Sequence, residues 1–252
     1  MNDYYTRAAV LYDETVRGVL GDIEFYRGLA LQAGGPVVEL GVGTGRVAVP
    51  IAQAGVEVIG IDIEAAMLAV AAERARAAGV ESRLHLVEGD MHSFALDAPV
   101  ELVIVPHRTF LHNLSEADQR ATLRACYRAL RPGGRLAFNV FNPDLAVLGR
   151  SGPSRRDAPY DADGRIAARV EHAAAAPVVT TWLRWREGGE TRRARLTLRY
   201  VSRDEMGRLL LDAGFEVESL SGDFFGTPFG ETSTEMVWVA RRGSDTAGTT
   251  WG

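Results

Sequence analysis

Three glycines at two-residue spacing, Gly41, Gly43 and Gly45, directly follow a short apolar strand. Glycine lets a backbone turn sharply and lets a ligand approach more closely than a side chain permits, and the helix predicted after the turn presents unpaired N–H groups. A second apolar strand over residues 56–61 is followed by Asp62, 21 residues after Gly41. This arrangement predicts a site for a nucleotide-like ligand whose ribose hydroxyls bind the carboxylate.

The spacing of these glycines distinguishes between two classes of nucleotide cofactor. Nicotinamide-binding turns have the pattern G-x-G-x-x-G, but here the third glycine comes one residue early and Arg46 stands in its place. Glu39, two residues before Gly41, would repel a pyrophosphate and attract an ammonium or sulfonium group. Both departures favour S-adenosylmethionine (SAM); a turn that serves only strand-to-helix packing is the structural alternative.

The segment after the fourth predicted strand carries the residues best suited to proton transfer, and it reads PHRTFLHN over residues 106–113. Methyl transfer from SAM is an in-line displacement, in which a neutral amine loses its proton afterwards whereas an aliphatic hydroxyl needs a base. His107 is the first candidate base and His112 the second; a bond to a backbone carbonyl and local turn bonding are their respective alternatives. Arg108 could clamp a substrate carboxylate or pair with a surface acid.

Apolar strand patterns and helical periodicities alternate along the chain and would position these residues. A mostly parallel sheet with its ligand-binding turns at the carboxyl edge follows from this order. The segment Ser115–Asp118 has the spacing of a helix capping box, and so does Ser202–Glu205. The predicted strands are 37–40, 56–61, 84–87, 102–105, 135–141, one near 217, and 235–240; the predicted helices are 23–31, one after Gly45, 65–78, 116–130 and 203–213.

Between the fifth strand and the helix that starts after Ser202, the alternating pattern breaks. Residues 149–154 read as a loop, and three antiparallel strands are predicted over 166–172, 178–186 and 193–200, with a hairpin turn at 187–190. We predict a β cap subdomain over 143–200, inserted into a SAM-binding domain that is formed by 1–142 and 201–242 and begins with an N-terminal lid segment. The insertion falls at the carboxyl edge, where it should cap the pocket. Residues 243–252 are predicted to be disordered.

Beyond the E-x-G-x-G-x-G turn and Asp62, the chain has VEGDM at 87–91 and LRPGG at 130–134. With these motifs the sequence resembles the class I SAM-dependent methyltransferases over about residues 12–241. The similarity is to the small-molecule branch, which includes quinone-pathway, glycine and amino-sugar N-methyltransferases. The resemblance implies an α/β, Rossmann-like sheet of seven strands in the order 3-2-1-4-5-7-6, with strand 7 antiparallel.

The resemblance also implies roles for individual residues around the cofactor. Asp62 should bind the ribose hydroxyls, Asp90 should accept from the adenine amino group, and Ile63 and Met91 should cover the two faces of adenine. The segment that begins at Pro106 should emerge where the methyl group points. The cofactor-binding set is completed by Glu39, Gly41, Gly43 and Gly45.

Aromatic residues near both ends of the chain are candidates for further pocket contacts. Tyr12 resembles the aromatic residue that, in related small-molecule enzymes, closes over the methionine end of SAM; a hydrophobic contact with the sheet edge is the alternative. Phe225 and Phe229, between the last two strands, could line an apolar acceptor pocket or simply pack in a hairpin.

Composition excludes several classes of partner. The formal net charge of −5 argues against a nucleic-acid substrate, although residues 151–200 are locally basic. The segment after strand 4 has neither the Asn/Asp-Pro-Pro motif of DNA and protein-glutamine methyltransferases nor the clustered acids of a metal site. Cys126, the single cysteine, excludes an internal disulfide, and without a membrane-spanning or signal segment we expect a cytoplasmic protein.

The sequence therefore predicts a SAM-dependent methyltransferase that acts on a small molecule, with no metal, nucleic-acid or membrane partner. It leaves open N- or O-methylation and a homodimer. A SAM-binding regulatory protein without turnover and a nicotinamide-dependent oxidoreductase are the alternatives, because both could use the same turn.

Overall fold

The computed structural model describes residues 5, 18–143, 155–159, 166–172, 177–187 and 189–243, so Tyr12, the loop at 149–154 and residues 244–252 lie outside the described part. The helices are α1 (Asp22–Ala33), α2 (Ala48–Gln53), α3 (Ala65–Ala78), α4 (Glu116–Ala129) and α5 (Arg203–Asp212), with a 3₁₀ turn at Thr109–His112. The strands are β1 (Val37–Leu40), β2 (Val58–Asp62), β3 (Leu84–Glu88), β4 (Val100–Val105), β5 (Leu130–Phe141), β6 (Arg155–Pro159), β7 (Ile166–His172), β8 (Val178–Glu187), β9 (Glu190–Arg199), β10 (Phe215–Ser221) and β11 (Glu235–Arg242).

The larger sheet has seven strands in the order β3-β2-β1-β4-β5-β11-β10. Strands β1 to β5 are parallel to one another, and β11 is antiparallel to both β5 and β10. In the numbering of the seven-stranded fold this order is 3-2-1-4-5-7-6, so the predicted topology is confirmed. It brings the carboxyl ends of β1, β2, β3 and β4 side by side, at the edge where open α/β sheets bind ligands.

Helices cover both faces of this sheet, which explains why its central strands are apolar on both sides. On one face α4 and α5 contribute Leu123, Cys126 and Leu209 to a core that includes Phe138 and Trp238 of the sheet. The opposite face is covered by α1, α2 and α3. That second core contains Tyr26, Ala30, Ile51, Leu102 and Val237.

The hydrogen bonds predicted at the N-termini of two helices are present. At α4 the Ser115 hydroxyl accepts from the Asp118 N–H, and the Asp118 carboxylate accepts from the Ser115 N–H, at 3.1 Å each. At α5 the Ser202 hydroxyl accepts from the Glu205 N–H. No helix in the ranges given above is long and apolar enough to cross a membrane.

The inserted segment forms a second, antiparallel sheet in the order β6-β7-β8-β9. Strands β7, β8 and β9 are where they were predicted, within three residues, but β6 was not predicted. Its sequence, RRDAP, has no apolar alternation and ends in proline, as edge strands can. At the end of β9, Arg199 donates to Gln119 Oε1 of α4 and to Glu205 Oε1 of α5, at 2.5 and 2.7 Å, and so joins the smaller sheet to the main domain.

Candidate active site

A cavity of about 400 Å³ opens at the carboxyl edge of the sheet, and its volume falls within the range of small-molecule sites. The turns after β1, β2, β3 and β4 form its walls, as the strand order requires. Its lining residues are Tyr5, Gly41, Gly43, Ile61, Asp62, Ile63, Glu64, Met67, Gly89, Asp90, Met91, His92, His107, Thr109, His112 and Asn113.

The glycine turn requires glycine for two separate reasons. Gly41, Gly43 and Gly45 all have positive φ, at 65°, 55° and 76°, which other L residues rarely adopt. A Cβ atom at Gly41 would also lie 2.3 Å from the Thr109 Cγ2 atom. The turn after β1 therefore packs directly against the loop after β4, and the two walls of the cavity are fixed relative to each other.

Asp62 ends β2 with its carboxylate at the cavity. Its Oδ2 accepts from the Gly43 N–H at 2.8 Å and its Oδ1 from the Glu64 N–H at 3.0 Å. Each oxygen keeps acceptor capacity for a further donor, so the carboxylate can hold a ligand diol while it fixes the glycine turn. Burial raises the pKa of Asp62, against the opposing effect of these backbone donors.

Glu39 lies on the α1 side of the sheet and is not among the cavity-lining residues named above. Burial raises the pKa of its carboxyl well above the usual range, and the nearby Arg46 opposes this shift. The guanidinium of Arg46 pairs with Asp22 of α1 at 2.5 and 3.0 Å. The Glu39 Oε2 atom is buried without a hydrogen-bond partner among the described residues, and the role of Glu39 toward SAM stays a prediction.

Apolar side chains and a hydrogen-bonded histidine form the wall after β2 and β3. Ile63, 64% exposed, and Met91 both line the cavity, as predicted for residues that cover adenine. Asp90 accepts from the His92 backbone N–H at 2.9 Å, and its Oδ1 lies 3.0 Å from His92 Nδ1. His92 Nε2 lies 2.6 Å from Asn113 Oδ1, which connects this wall to the segment after β4.

His107 lines the cavity from the turn after β4, in the unusual left-handed conformation with φ 53°. Its Nδ1 atom is buried and has no hydrogen-bond partner within the described ranges. Burial lowers the pKa of His107 to about 4, helped by the positive charges of Arg46 and Arg108. The ring is therefore neutral at physiological pH and can accept a proton.

His112 faces the same cavity from the 3₁₀ turn and contacts a residue far away in sequence. Its Nε2 atom lies 2.9 Å from the Tyr5 hydroxyl, and the two rings meet edge to face. Burial lowers the pKa of His112 to about 4. Local turn bonding is instead supplied by Asn113, whose amide donates to the Phe110 carbonyl.

Three residues assigned to substrate binding lie away from the cavity lining. Arg108 pairs with Glu235, a buried acid at the start of β11 and not the surface acid expected as the alternative. Phe225 is 69% exposed and its ring approaches Gly21. Phe229 packs against the α4–α5 core and lines a separate cavity between the ends of β5 and α5. Pro106 and Gly45 flank the site without lining the cavity.

Sequence reasoning missed several lining residues. Tyr5 lies 107 positions from its partner His112, and neither His92 nor Asn113 was predicted to line the site. Asn113 is buried and also accepts from the Thr122 hydroxyl at 2.9 Å. A polar side chain directly after an apolar 3₁₀ turn was the one signal that could have indicated it.

Comparisons with known proteins agree with a methyltransferase fold. A methyltransferase domain family matches residues 37–134. The cypemycin N-terminal methyltransferase of a Streptomyces species is 27% identical over 83% of this chain and 84% of its own length. The solved CcbJ methyltransferase from Streptomyces caelestis covers 96% of this chain and 99% of its own, with 26% identity and a TM-score of 0.85.

Residues 37–134 thus match a methyltransferase domain, and these relatives support the predicted class I SAM-dependent type. The solved glycopeptide N-methyltransferase MtfA, in complex with SAM, is 27% identical and has a TM-score of 0.58 over 88% of this chain and 94% of its own. The predicted family and cofactor of this methyltransferase are thereby confirmed. The individual residue roles around the cofactor remain predictions.

Proposed function

We propose that this methyltransferase transfers the methyl group of SAM to a nitrogen or oxygen atom of a small-molecule metabolite and releases S-adenosylhomocysteine (SAH). The observation that carries the proposal is one cavity with two unlike walls. The glycine turn, Asp62 and Met91 form a wall suited to SAM, and two neutral histidines face it from the segment after β4.

The residues present fit SAM. We assign the ribose hydroxyls to Asp62, the adenine amino group to Asp90, and the adenine faces to Ile63 and Met91. On the remaining side Gly41 and Gly43 line the cavity with backbone alone, so a ligand can approach the chain closely there. When bound, SAM supplies a methyl group on a sulfonium centre, which needs alignment with the nucleophile more than it needs activation.

The proton released by the acceptor is assigned to His107. His107 lines the cavity and its Nδ1 atom makes no hydrogen bond to the described residues, so its neutral imidazole can accept a proton from an amine or hydroxyl. His112 is the weaker candidate, because its Nε2 is already engaged with the Tyr5 hydroxyl.

Nitrogen is the preferred acceptor atom. A base with a pKa near 4 is poorly matched to an aliphatic hydroxyl, whereas an amine that enters neutral needs only a modest proton acceptor. The names of the cypemycin N-terminal and glycopeptide N-methyltransferases point in the same direction. O-methylation is the second candidate.

We assign the inserted β cap to the acceptor side of the pocket. Its segment follows β5 at the carboxyl edge, and β9 is attached to α4 and α5 through Arg199. Residues 151–200 hold ten arginines against six acids, a net charge of +4 that favours an acceptor with a carboxylate.

Excision of the cap tests this assignment. Replacement of residues 144–197 by a short Gly-Ser bridge, which keeps Arg199, should abolish turnover and change SAH affinity by less than about threefold. The measurements are calorimetry with SAH and methyl transfer to the identified acceptor. Retained turnover would remove the cap from the acceptor pocket.

Substitution of the two cavity carboxylates tests the cofactor assignments. Asp62→Ala should weaken SAM binding by about 2–3 kcal/mol, because a charged acceptor of two ribose hydroxyls is lost. Asp90→Asn should cost less, since an amide oxygen still accepts from adenine. Asp97→Ala, at an exposed acid outside the cavity, is the matched control; equal losses at all three positions would contradict the assignments.

Release of SAH from SAM across a library of amines and hydroxylated metabolites tests the reaction. We expect turnover with members of one acceptor class, and no response when NAD replaces SAM in a binding titration. SAM binding without SAH release from any acceptor would favour the SAM-binding regulatory alternative, and NAD binding would favour the oxidoreductase.

A further inference from the structure

A chain of buried hydrogen bonds runs beneath the loop that carries His107. The Tyr26 hydroxyl donates to Asn139 Oδ1 at 3.1 Å, and the Asn139 amide donates to Glu235 Oε2 at 2.9 Å. The other carboxylate oxygen, Oε1, accepts from Arg108 Nε at 3.0 Å and also from Arg108 Nη2. We call these four residues, Tyr26, Asn139, Glu235 and Arg108, the Arg108 network. Its members come from α1, β5, β11 and the loop after β4.

With the Asn139 amide oriented so that its oxygen accepts from Tyr26, these bonds require a carboxylate at position 235. Both oxygens of Glu235 face donors, from Asn139 on one side and from Arg108 on the other. A glutamine has one acceptor oxygen and one donor nitrogen, so it could satisfy only one of these neighbours. Glu235 is 3% exposed, and a buried carboxylate is stable only with a cation and hydrogen bonds of this kind.

The loop held by this network is strained. His107 and Arg108 are consecutive non-glycine residues in the left-handed region, with φ of 53° and 64°. Such a conformation costs free energy at each residue and persists only where surrounding contacts hold it. The guanidinium of Arg108 is held on two sides, by Glu235 and by the Phe141 ring 5.8 Å away.

We propose that Glu235 is a positioning residue: through Arg108 it fixes the left-handed turn that directs His107 toward the cavity. Asn139, anchored by Tyr26, in turn orients the Glu235 carboxylate. Arg108 therefore acts inward on the loop and not as a clamp for a substrate carboxylate. The kinetic consequence rests on the proposed function of His107, whereas the structural consequence does not.

The test uses a substitution that breaks the network and a second one that rebuilds it. Glu235→Gln leaves an N–H donor facing another donor. Adding Asn139→Asp restores every bond. The carboxylate at position 139 then accepts from the Tyr26 hydroxyl and from the amide nitrogen at position 235. The amide oxygen at position 235 accepts from Arg108. The double variant also keeps the net charge of the wild type. Rescue by this exchange would show that the bonds of the Arg108 network, and not the identity of residue 235 alone, account for the loss in Glu235→Gln.

We expect Glu235→Gln to lower kcat by about 10–100-fold while KM and SAH affinity change by less than about threefold, because misplacement of a reacting group by about 1 Å can cost about 100-fold. The double variant should recover to within about threefold of wild type, since the two substitutions are coupled through one network. Leu209→Ala, in the core beneath α5, is the control for lost stability: its kcat is compared with that of Glu235→Gln when both variants lower Tm by the same amount. If Glu235→Gln does not fold, Arg108→Lys, which keeps the charge but not the planar fork, replaces it.

Crystal structures of the variants with SAH provide a readout independent of turnover. In Glu235→Gln, residues 107 and 108 should leave the left-handed region; in the double variant they should return to it. Unchanged φ values in Glu235→Gln, a kcat no lower than that of Leu209→Ala, or no rescue by Asn139→Asp would overturn the proposal. If the wild type methylates no acceptor, the proposed function fails, and the crystallographic comparison alone decides the positioning role.

Discussion

His107→Asn is expected to lower the single-turnover rate of methyl transfer by about 10²–10⁴-fold at neutral pH, with SAM affinity nearly unchanged, when His107 takes the proton of the acceptor during the methyl-transfer step. Asparagine keeps a polar side chain of similar reach but cannot accept a proton. His107 lines the cavity and its Nδ1 atom has no hydrogen-bond partner among the described residues, so the substitution removes the proton acceptor without removing an Nδ1 bond that holds the fold. Rapid-quench measurement with the identified acceptor checks the result.

The pH profile gives a second test of His107. Because burial lowers its pKa to about 4, the base stays in its neutral form at every pH above that value. The wild-type rate should therefore show no His107-dependent change around neutral pH and should fall as the pH drops through about 4. This acid limb should be absent from His107→Asn.

His85→Asn is the matched control for His107, because His85 lies on β3, is exposed and pairs with Glu57. It should leave the rate unchanged. A His107→Asn rate within a few-fold of the wild type would instead indicate that the enzyme only aligns an amine that is already neutral. His107 would then be a wall of the pocket.

Gly41→Ala is expected to weaken SAM binding by about 100-fold or more. The new Cβ would lie 2.3 Å from Thr109 Cγ2, and alanine would have to adopt a φ of 65°. Strain of about 1–3 kcal/mol and displacement of two cavity walls act together, and each 1.4 kcal/mol changes affinity about tenfold. Calorimetry with SAM and with SAH measures the loss.

Two further variants separate the steric effect from the backbone effect. Gly55→Ala places alanine at a φ of 90° in an exposed turn where a Cβ meets nothing within 4 Å, so it should lower stability without changing SAM affinity. Adding Thr109→Ser to Gly41→Ala removes the clashing methyl group and should restore part of the affinity. No restoration would mean that the contact with Thr109 is not what demands glycine.

Most helices and strands of the main domain could be predicted because their signals, apolar periodicity and capping residues, lie within the elements themselves. Helix α3 has the predicted bounds, Ala65–Ala78, because Gly79 ends it in the left-handed conformation at φ 67°. The capping box at Ser115 was correct for the same reason, since its partner is three residues away. The strand order came from the family resemblance, as periodicity alone does not choose neighbours.

Contacts between distant residues could not be predicted from one sequence. Arg108 and Glu235 are 127 positions apart, and nothing near either residue indicates the other. The depressed pKa of His107 also follows from burial and from Arg46, which only the folded chain brings near. Glu39 was assigned from its spacing to the glycines, and the pleat of β1 places its side chain on the α1 side of the sheet; its contact with SAM stays a prediction.

The most direct test of methyl transfer in this cavity is to follow the methyl group itself. Purified protein is incubated with SAM carrying a trideuterated methyl group and the acceptor class found by SAH release, and the products are analysed by mass spectrometry. We expect the intact labelled methyl group on a nitrogen of the acceptor, in equal amount to the SAH formed, with Asp62→Ala and His107→Asn reducing both. Tight SAM binding with no labelled acceptor from any metabolite would contradict the assignment of this cavity as the site of methyl transfer.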